Sequence, residues 1–282
     1  MSSSKVAVVT GSNKGIGYAI VQGLCEKFDG VVYLTARDVN RGQEAVAKLN
    51  QLGLKPSFHQ LEITDESSIT KFRDHLVQNH GGIDILINNA AIAFKRTATE
   101  PFSEQAVITN SVNYYATLKV CDILFPILKK NAKVIHVSSS EGHLSKIPSA
   151  TLRSQFNDPS LTVPKLNQLV EKFIQDAKND KHKEAGWGTS SYAVSKVAVS
   201  ALTKIQQRNF DQETPNRNIS VNSVHPGYIK TDMTGHTGFG TIEEGARAPL
   251  FLALEAENLK GQYIWKDGTV AQWDAEKPPA PF

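Results

Sequence analysis

The chain has 282 residues, of which 40% are hydrophobic, and carries 31 lysines and arginines against 28 aspartates and glutamates. This length and composition allow one large domain with a sizeable core, so residues 1–282 are predicted to form a single domain. The near balance of charge excludes a field strong enough to recruit nucleic acid or a membrane surface, and the expected partner is a small molecule.

The cysteine content and the apolar segments bear on the compartment. Cys25 and Cys121 are too few for a disulfide framework and lack zinc-ligand spacing, which favours a reducing environment. No apolar stretch approaches the ~20 residues that span a bilayer, and the start of the chain has no signal-peptide apolar region. The histidines form no metal-site pattern. We therefore expect a cytoplasmic protein without a bound metal.

Strand-like and helix-like patterns alternate along most of the chain. A strand is predicted at residues 6–10, followed by a glycine cluster at 11–17 and a helical pattern. Further strands are predicted at 31–35, 58–63, 83–87, 134–137, 219–224 and 262–265. Further helices are predicted at 41–52, 67–80, 104–129, 192–207 and 243–254. This order predicts an α/β fold with a doubly wound parallel sheet of the Rossmann type and helices on both faces.

Two segments break the alternation. A polar, lysine-rich stretch at residues 141–187 has apolar side chains at helical spacing from Leu166 to Ala177. It is predicted to be an ordered insertion with an amphipathic helix, placed before the helix at 192–207. A proline-rich tail at residues 277–282 is predicted to be flexible.

The first glycine cluster reads Thr10-Gly11-Ser12-Asn13-Lys14-Gly15-Ile16-Gly17. Its glycines let the backbone approach a pyrophosphate at the positive end of the following helix. The spacing alone would also suit a tight turn without a ligand. Its position between a predicted strand and a predicted helix favours a dinucleotide site.

The end of the second predicted strand bears on the choice of dinucleotide. An NAD site usually has an acidic residue here for the ribose 2′-hydroxyl, whereas this chain has Arg37. The predicted cofactor is therefore NADPH or NADP, with Arg37 and Lys14 pairing with the 2′-phosphate. Arg41 either joins them or is an ordinary exposed charge on a helix.

A second motif, Ser190-Ser191-Tyr192-Ala193-Val194-Ser195-Lys196, opens a predicted helix with Ser190 or Ser191 as its cap. Tyr192 and Lys196 then lie one turn apart on the same face. A neighbouring ammonium lowers the pKa of a phenol, which is ordinarily about 10, towards useful acid and base chemistry. Taken alone, such a pair is also common on helix surfaces.

Five blocks occur in order along nearly the whole chain: residues 10–17, Asn88-Asn89-Ala90-Ala91, Ser138-Ser139, Tyr192 to Lys196, and Pro226-Gly227. Together they resemble the short-chain dehydrogenase/reductase family, with Ala91 where a glycine is usual. The chain is also similar to the monomeric NADPH-dependent carbonyl reductases of that family. This narrower resemblance rests on Asn13-Lys14-Gly15-Ile16-Gly17, Leu34-Thr35-Ala36-Arg37-Asp38, Ile92-Ala93-Phe94-Lys95 and Glu184-Ala185-Gly186-Trp187.

The resemblance implies roles for the catalytic residues. Tyr192 would give its proton to the carbonyl oxygen of a substrate, and Ser139 would hydrogen-bond the same oxygen. Lys196 would hold the cofactor ribose and lower the pKa of Tyr192. Asn113 would anchor a water that relays protons towards Lys196, or would be a buried asparagine bonded locally. Ser139 is chosen over its serine neighbours by family alignment.

The implied cofactor contacts come from several loops. Asn89 would contact the cofactor backbone, Thr231 its carboxamide, and Glu62 stands where related enzymes have aspartate near the adenine. The full set is Gly11, Asn13, Lys14, Gly15, Ile16, Gly17, Arg37, Arg41, Leu61, Glu62, Asn89, Tyr192, Lys196, Pro226, Gly227, Ile229 and Thr231.

The substrate itself is left open by the sequence. The implied substrate contacts are Ser139, Phe94, Lys95 and Tyr228. Phe94, Lys95 and Arg96 match a region linked to glutathione-conjugate binding in vertebrate enzymes, although a basic loop would serve other anionic substrates equally. His225 and Tyr228 replace residues that are typically cysteine and tryptophan there, which alters the substrate wall.

Three functions follow as hypotheses. The first is a broad carbonyl reductase that converts ketones, aldehydes or quinones to alcohols or hydroquinones. The second is a narrower ketosteroid or prostaglandin-type dehydrogenase. The third is a non-catalytic NADPH-binding redox sensor, against which the intact Ser139, Tyr192 and Lys196 argue. The resemblance also implies a monomer, because a comparable insertion covers the helices that dimerise in other members.

Overall fold

A computed structural model describes residues 4–95 and 97–280 of the chain. The strands are β1 Val6–Val9, β2 Val31–Ala36, β3 Ser57–Gln60, β4 Ile83–Asn88, β5 Leu128–Val137, β6 Ser220–Val224, β7 Tyr263–Ile264 and β8 Val270–Ala271. Within this described part they form one sheet in the order β3-β2-β1-β4-β5-β6-β7-β8. Neighbouring strands are parallel, except that β8 runs antiparallel to β7. The predicted α/β fold with a doubly wound parallel sheet is confirmed.

The helices are α1 Gly15–Lys27, α2 Val39–Gln51, α3 Glu66–His80, α4 Phe102–Asn110, α5 Thr117–Leu124, α6 Ala150–Phe156, α7 Val163–Lys178, α8 Ser191–Asp211 and α9 Ile242–Leu254. They cover both faces of the sheet because its inner strands are apolar on both sides. In β1, Ala7 and Val9 face the layer of α1, α2 and α9. Val6 and Val8 face the opposite layer, which includes α3 and α5. Successive side chains of a strand point to opposite faces, so one short strand serves both cores.

The strand order reverses at β1. The chain passes from β1 through β2 to β3 on one side and then returns to place β4 on the other. The loops that follow β1 and β4 therefore leave the sheet in opposite directions and open a crevice at the carboxyl ends of these strands. Open α/β sheets bind their ligands at such a point.

The insertion adds a third core. Helix α7 packs against α4 and α8, which confirms the predicted amphipathic helix, and Leu152 and Phe156 of α6 belong to the same core. The buried apolar residues of the insertion include Leu166, Val170, Phe173, Ile174, Ala177 and Trp187. The indole nitrogen of Trp187 donates to Asp176 at 2.8 Å, so this large side chain is buried without an unsatisfied donor.

The helix predicted at residues 104–129 is confirmed as a helical segment from Phe102 to Ile127, although it is not one continuous α-helix. The segment consists of α4, a π-helical turn at Ser111–Ala116, α5 and a 3-10 turn at Phe125–Ile127. Pro126 lacks an amide hydrogen and disfavours helix at the preceding residue, so the α-helix ends at Leu124. Strand β5 then begins at Leu128, earlier than the predicted strand at 134–137.

The C-terminal segment also differs in part from expectation. The short strand β8 was not predicted. The indole nitrogen of Trp265 donates to the carbonyl of Ala280 at 3.0 Å, so the described part of the tail contacts the domain. Residues 281 and 282 lie outside the described residues, and the flexibility of the tail stays a prediction.

Candidate active site

Ser139 and Tyr192 meet at the carboxyl edge of the sheet. Ser139 follows β5, and Tyr192 lies in the first turn of α8, which begins where the Ser190 hydroxyl accepts from the Ala193 amide at 3.0 Å. The Ser139 side chain lies close enough to Tyr192 to lower the pKa of its phenol. The Ser138 hydroxyl is buried instead against Ser200, at 2.9 Å between the two oxygens. Strand alternation thus brings Ser139, and not Ser138, to Tyr192.

Lys196 lies one turn along α8 and is buried. Its ammonium nitrogen donates to the carbonyl of Val137 at 2.8 Å and lies 5.7 Å from the centre of the Tyr192 ring. Burial lowers the pKa of Lys196 to about 8. The nitrogen therefore lies near the tyrosine ring, while the hydrogen bond that it donates is to the backbone of β5.

The pKa of Tyr192 is raised to about 12, mainly by burial. The polar Ser139 side chain lowers this pKa, and the nearby charge of Glu141 raises it. The expected lowering by Lys196 is therefore not seen in this structure. The physical reason is that desolvation disfavours the phenolate more than the surrounding groups favour it. Tyr192 consequently keeps its proton at neutral pH, as an acid must.

Asn113 lies in the π-helical turn and is buried. Its amide oxygen accepts from the Ile92 backbone at 2.8 Å, and its amide nitrogen donates to the Ile92 carbonyl at 2.9 Å and to Ser195 at 3.0 Å. The side chain therefore ties the loop after β4 to α8. Isolated π-helical turns frequently mark functional sites, and nothing in the local sequence predicted this one.

The start of α1 is suited to an anion. Lys14 occupies the N-cap without a capping side-chain hydrogen bond, and the first turn has no acidic residue. The first backbone N–H groups of a helix have no partner within the helix, and they carry the positive end of its dipole. Gly11 and Gly15 both have φ of 60°, a conformation that favours glycine. The predicted glycine turn thus fits a pyrophosphate.

Asn89 supports this turn from the end of β4. Its amide nitrogen donates to the carbonyls of Thr10 at 2.9 Å and Gly11 at 3.0 Å. A Cβ atom on Gly17 would lie 2.4 Å from the same nitrogen, so only glycine fits there. The Asn89 side chain therefore stabilises the predicted phosphate-binding turn by hydrogen-bonding to the backbone of that turn.

The basic residues predicted for the 2′-phosphate lie near the end of β2 and in the glycine turn. Arg37 and Arg41 are exposed, and Arg41 lies 3.7 Å from Asp38. Lys14 is exposed but makes an ion pair with Asp232 at 2.6 Å. The structure thus leaves Arg37 without an ion pair among the described residues, whereas Lys14 has a competing carboxylate.

The residues predicted near the adenine lie after β3. Leu61 is buried. One oxygen of Glu62 accepts from the amide of Thr64 at 3.1 Å and from its hydroxyl at 2.8 Å. Glu62 therefore stabilises its own turn in this structure.

The segment after β6 carries the remaining predicted contacts. Pro226, Gly227, Tyr228 and Ile229 line a cavity of about 820 Å³, with Lys266 on another wall. Ser139 and Tyr192 are not among its lining residues. A Cβ atom added to Gly15 would lie 3.5 Å from the methyl carbon of Thr231, so the segment after β6 faces the glycine turn.

Phe94 and Lys95 lie in the loop that Asn113 anchors. Phe94 is half-buried and Lys95 is exposed. Arg96 lies outside the described residues.

Two contacts near Ser139 were not predicted from the sequence. The Tyr263 hydroxyl donates to the carbonyl of Ser139, and His225 accepts from the amide of Ser140. Neither contact has a sequence signal, because the partners are brought together by strand pairing. Among residues 4–95 and 97–280, no cluster of His, Cys, Asp and Glu could hold a metal.

The sheet, the glycine turn and the Ser139, Tyr192 and Lys196 cluster define a dinucleotide-dependent oxidoreductase. The profile of the short chain dehydrogenase family matches residues 5–151 and 181–238. The chain therefore belongs to this family. The unmatched residues 152–180 fall within the insertion.

Full-length relatives give a narrower likeness. The chain is 44% identical to carbonyl reductase (NADPH) 3 of Mus musculus over 277 residues, which are 96% of this chain and 99% of that protein. It is also 44% identical to carbonyl reductase (NADPH) 1 of Rattus norvegicus over 278 residues, which are 97% of this chain and 100% of that protein. The structure of salutaridine reductase from Papaver somniferum matches with a TM-score of 0.83 and 29% identity, over 92% of this chain and 99% of that one.

Proposed function

We propose that Tyr192, Ser139 and Lys196 are the catalytic residues of an NADPH-dependent carbonyl reductase. The likeness to two such reductases over nearly the whole chain carries the cofactor and the reaction class. The effect of the Ser139 side chain on the pKa of Tyr192, and the ammonium of the buried Lys196 at 5.7 Å from the Tyr192 ring, support the residue roles. The substrates would be ketones, aldehydes or quinones, and the products alcohols or hydroquinones.

The proposed mechanism uses the residues in distinct roles. NADPH supplies a hydride to the carbonyl carbon when it is bound. Tyr192, whose raised pKa keeps it protonated, donates its phenolic proton to the carbonyl oxygen. Ser139 donates a hydrogen bond to the same oxygen and stabilises the negative charge that develops on it. Lys196 stabilises the resulting phenolate electrostatically and is proposed to hold the ribose.

Asn113 is proposed to support this set from the π-helical turn. The implied water relay from Asn113 towards Lys196 remains part of the proposal. The side-chain amide of Asn113 already makes hydrogen bonds to Ile92 and Ser195, so this side chain is proposed to position α8.

The cofactor would lie along the carboxyl edge of the sheet. The uncapped start of α1 and the glycine turn would hold the pyrophosphate, and the cations near the end of β2 would hold the 2′-phosphate. The residues proposed for these contacts, together with the adenine and carboxamide ends, are Gly11, Asn13, Lys14, Gly15, Ile16, Gly17, Arg37, Arg41, Leu61, Glu62, Asn89, Pro226, Gly227, Ile229 and Thr231.

The test follows NADPH absorbance with a quinone and a dicarbonyl as substrates. Tyr192→Phe is expected to lose nearly all turnover while still binding NADPH. Tyr115→Phe is the matched control, because the Tyr115 hydroxyl donates to the Asn167 carbonyl of α7 at 3.4 Å and Tyr115 lines a surface cavity with residues of α7. Full activity of Tyr192→Phe under conditions where chemistry limits the rate would contradict the mechanism. NADPH binding by the wild type without turnover of any carbonyl would favour the redox-sensor hypothesis.

A monomer is proposed from the insertion. Helix α7 lies against α4 and α8 and buries apolar side chains there, among them Leu166, Val170 and Phe173. These helix faces are therefore covered within one chain. Sedimentation is expected to give the mass of a single chain, and a stable dimer would contradict this role of the insertion.

Two finer proposals concern the substrate and the location. Lys95 is exposed beside Phe94, and an anionic substrate, of which a glutathione conjugate is one case, would find a cation there. A lower KM for a glutathione-conjugated carbonyl than for the parent carbonyl would support this, provided that the difference in KM disappears in Lys95→Gln.

A cytoplasmic location is proposed from the two unpaired cysteines, Cys25 and Cys121. No helix in the described ranges is long and apolar enough to cross a membrane.

A further inference from the structure

His225 occupies the last position before Pro226 and Gly227, and only 3% of its surface is exposed. Its ring lies against Trp265, with 4.4 Å between the ring centres. The Nδ1 atom accepts from the backbone amide of Ser140 at 2.9 Å and, more weakly, from that of Gly227 at 3.4 Å. One nitrogen thus connects the turn after β5 to the turn after β6.

These contacts determine the proton on the ring. Both partners of Nδ1 are N–H donors, so Nδ1 must be an unprotonated acceptor and the proton of the neutral ring lies on Nε2. Burial, helped by the charges of Lys266 and Lys146, lowers the pKa of His225 to about 3. The ring is therefore neutral throughout the working range of an enzyme, and it acts as a hydrogen-bond acceptor without titrating.

The opposite edge of the ring has no such partner. Nε2 is buried and makes no hydrogen bond within the described parts of the chain. A buried donor without an acceptor costs stability, whereas an apolar side chain in contact with Trp265 would avoid that cost. Stability alone therefore does not account for a histidine here. What the histidine adds is the acceptor for Ser140.

Ser140 is the residue next to the proposed catalytic Ser139. The backbone around Ser139 is held from two sides, because the Tyr263 hydroxyl donates to the Ser139 carbonyl while His225 accepts from the Ser140 amide. The Ser139 hydroxyl also accepts from the amide of Glu141 at 3.2 Å, which leaves its hydrogen available to donate towards Tyr192. Small movements of this turn would therefore shift the Ser139 hydroxyl relative to Tyr192.

We propose that His225 is a positioning residue that holds Ser139 against Tyr192 and fixes it relative to the Pro226–Gly227 turn. This inference rests on the proposed roles of Ser139 and Tyr192. Without the acceptor on His225, the Ser140 amide has to find another partner, and the turn that carries Ser139 loses one of the hydrogen bonds that hold its backbone to the rest of the domain. Because the effect passes through Ser139, it should vanish when the Ser139 hydroxyl is absent.

The test compares His225→Leu, which removes the acceptor, with His225→Asn, whose amide oxygen replaces Nδ1. We expect His225→Leu to lower kcat about tenfold or more with little change in KM for NADPH, since small misplacements of catalytic groups are costly. His225→Asn should recover kcat to within about threefold of wild type. His225→Phe, which keeps a ring against Trp265, is measured alongside in case the leucine variant does not fold, and NADPH binding and thermal unfolding verify each variant.

A double-mutant cycle separates positioning from general structural damage. In the Ser139→Ala background, His225→Leu is expected to cause less than about a twofold further loss of kcat, because residues acting as one unit are not additive. His182→Asn is the matched control, since His182 is also 3% exposed, also lies against an aromatic ring and also has a buried nitrogen without a hydrogen bond.

Three results would each overturn the inference: full kcat in His225→Leu and His225→Phe, failure of His225→Asn to recover activity, or multiplication of the two losses in the double variant. Failure of the proposed function is seen separately, because it would appear as retained activity in Tyr192→Phe with His225 intact.

Discussion

Lys196 is a buried cation whose burial has a measurable effect on stability. Its pKa falls from an ordinary 10.5 to about 8, with desolvation as the cause. The folded state therefore binds the lysine proton less tightly than the unfolded state does. Between pH 8 and pH 10.5 the unfolded chain holds more protons at this site, so the contribution of Lys196 to stability increases as the pH rises through this window.

The magnitude follows from the change in pKa. Each tenfold change in proton affinity is worth about 1.4 kcal/mol, so the contribution of Lys196 to the free energy of unfolding changes by about 3 kcal/mol across this pH window. We expect the free energy of unfolding of the wild type, minus that of Lys196→Met, to increase by about this amount from pH 7.5 to pH 10.5. Urea unfolding of the cofactor-free protein at a series of pH values measures both quantities.

The comparison with Lys196→Met is needed because other groups titrate in the same range. Burial raises the pKa of Cys25 to about 11 and that of Cys121 to about 12, so both thiols lower stability as the unfolded chain ionises above about pH 9. These contributions are common to both proteins and cancel in the difference. Parallel pH curves for the two proteins would refute the reasoning, because they would mean that Lys196 has the same pKa in the folded and unfolded states.

Two further predictions concern the cofactor and the insertion. Arg37→Asp is expected to raise the Kd for NADPH by about tenfold or more and to change the Kd for NADH little, because charge-assisted hydrogen bonds contribute about 1.5–3 kcal/mol. Fluorescence titration with both nucleotides measures the two Kd values. An equal loss of affinity for both nucleotides would be evidence against the assignment of Arg37 to the 2′-phosphate. Phe173→Ala, at a fully buried site in α7, is expected to lower the free energy of unfolding by about 3–5 kcal/mol, against less than about 0.5 kcal/mol for the exposed Leu52→Ala. Similar denaturant midpoints for these two variants would show that α7 is not part of the cooperative core.

Local patterns were sufficient for much of the fold and for part of the site. The alternation of strands and helices, the glycine turn before α1 and the pairing of Tyr192 with Lys196 all depend on backbone periodicity over a few residues. The helix predicted at 104–129 was found, but its π-helical turn and its end before Pro126 were not predicted, because neither alters the apolar pattern. The amphipathic helix of the insertion was found for the same reason as the others, since its apolar spacing is regular.

The tertiary structure decided which of these residues act together. The sequence by itself determined that Tyr192 and Lys196 share a helix face, and that Arg37 follows the second strand. Only the fold determined that Ser139 and not Ser138 reaches Tyr192, that Lys14 meets Asp232, and that His225 accepts from Ser140. It also reversed the expected pKa of Tyr192. The physical reason is that spacing within a helix is fixed by its hydrogen bonds, whereas contacts between β5, β6 and α8, and the desolvation they cause, depend on pairings between distant segments.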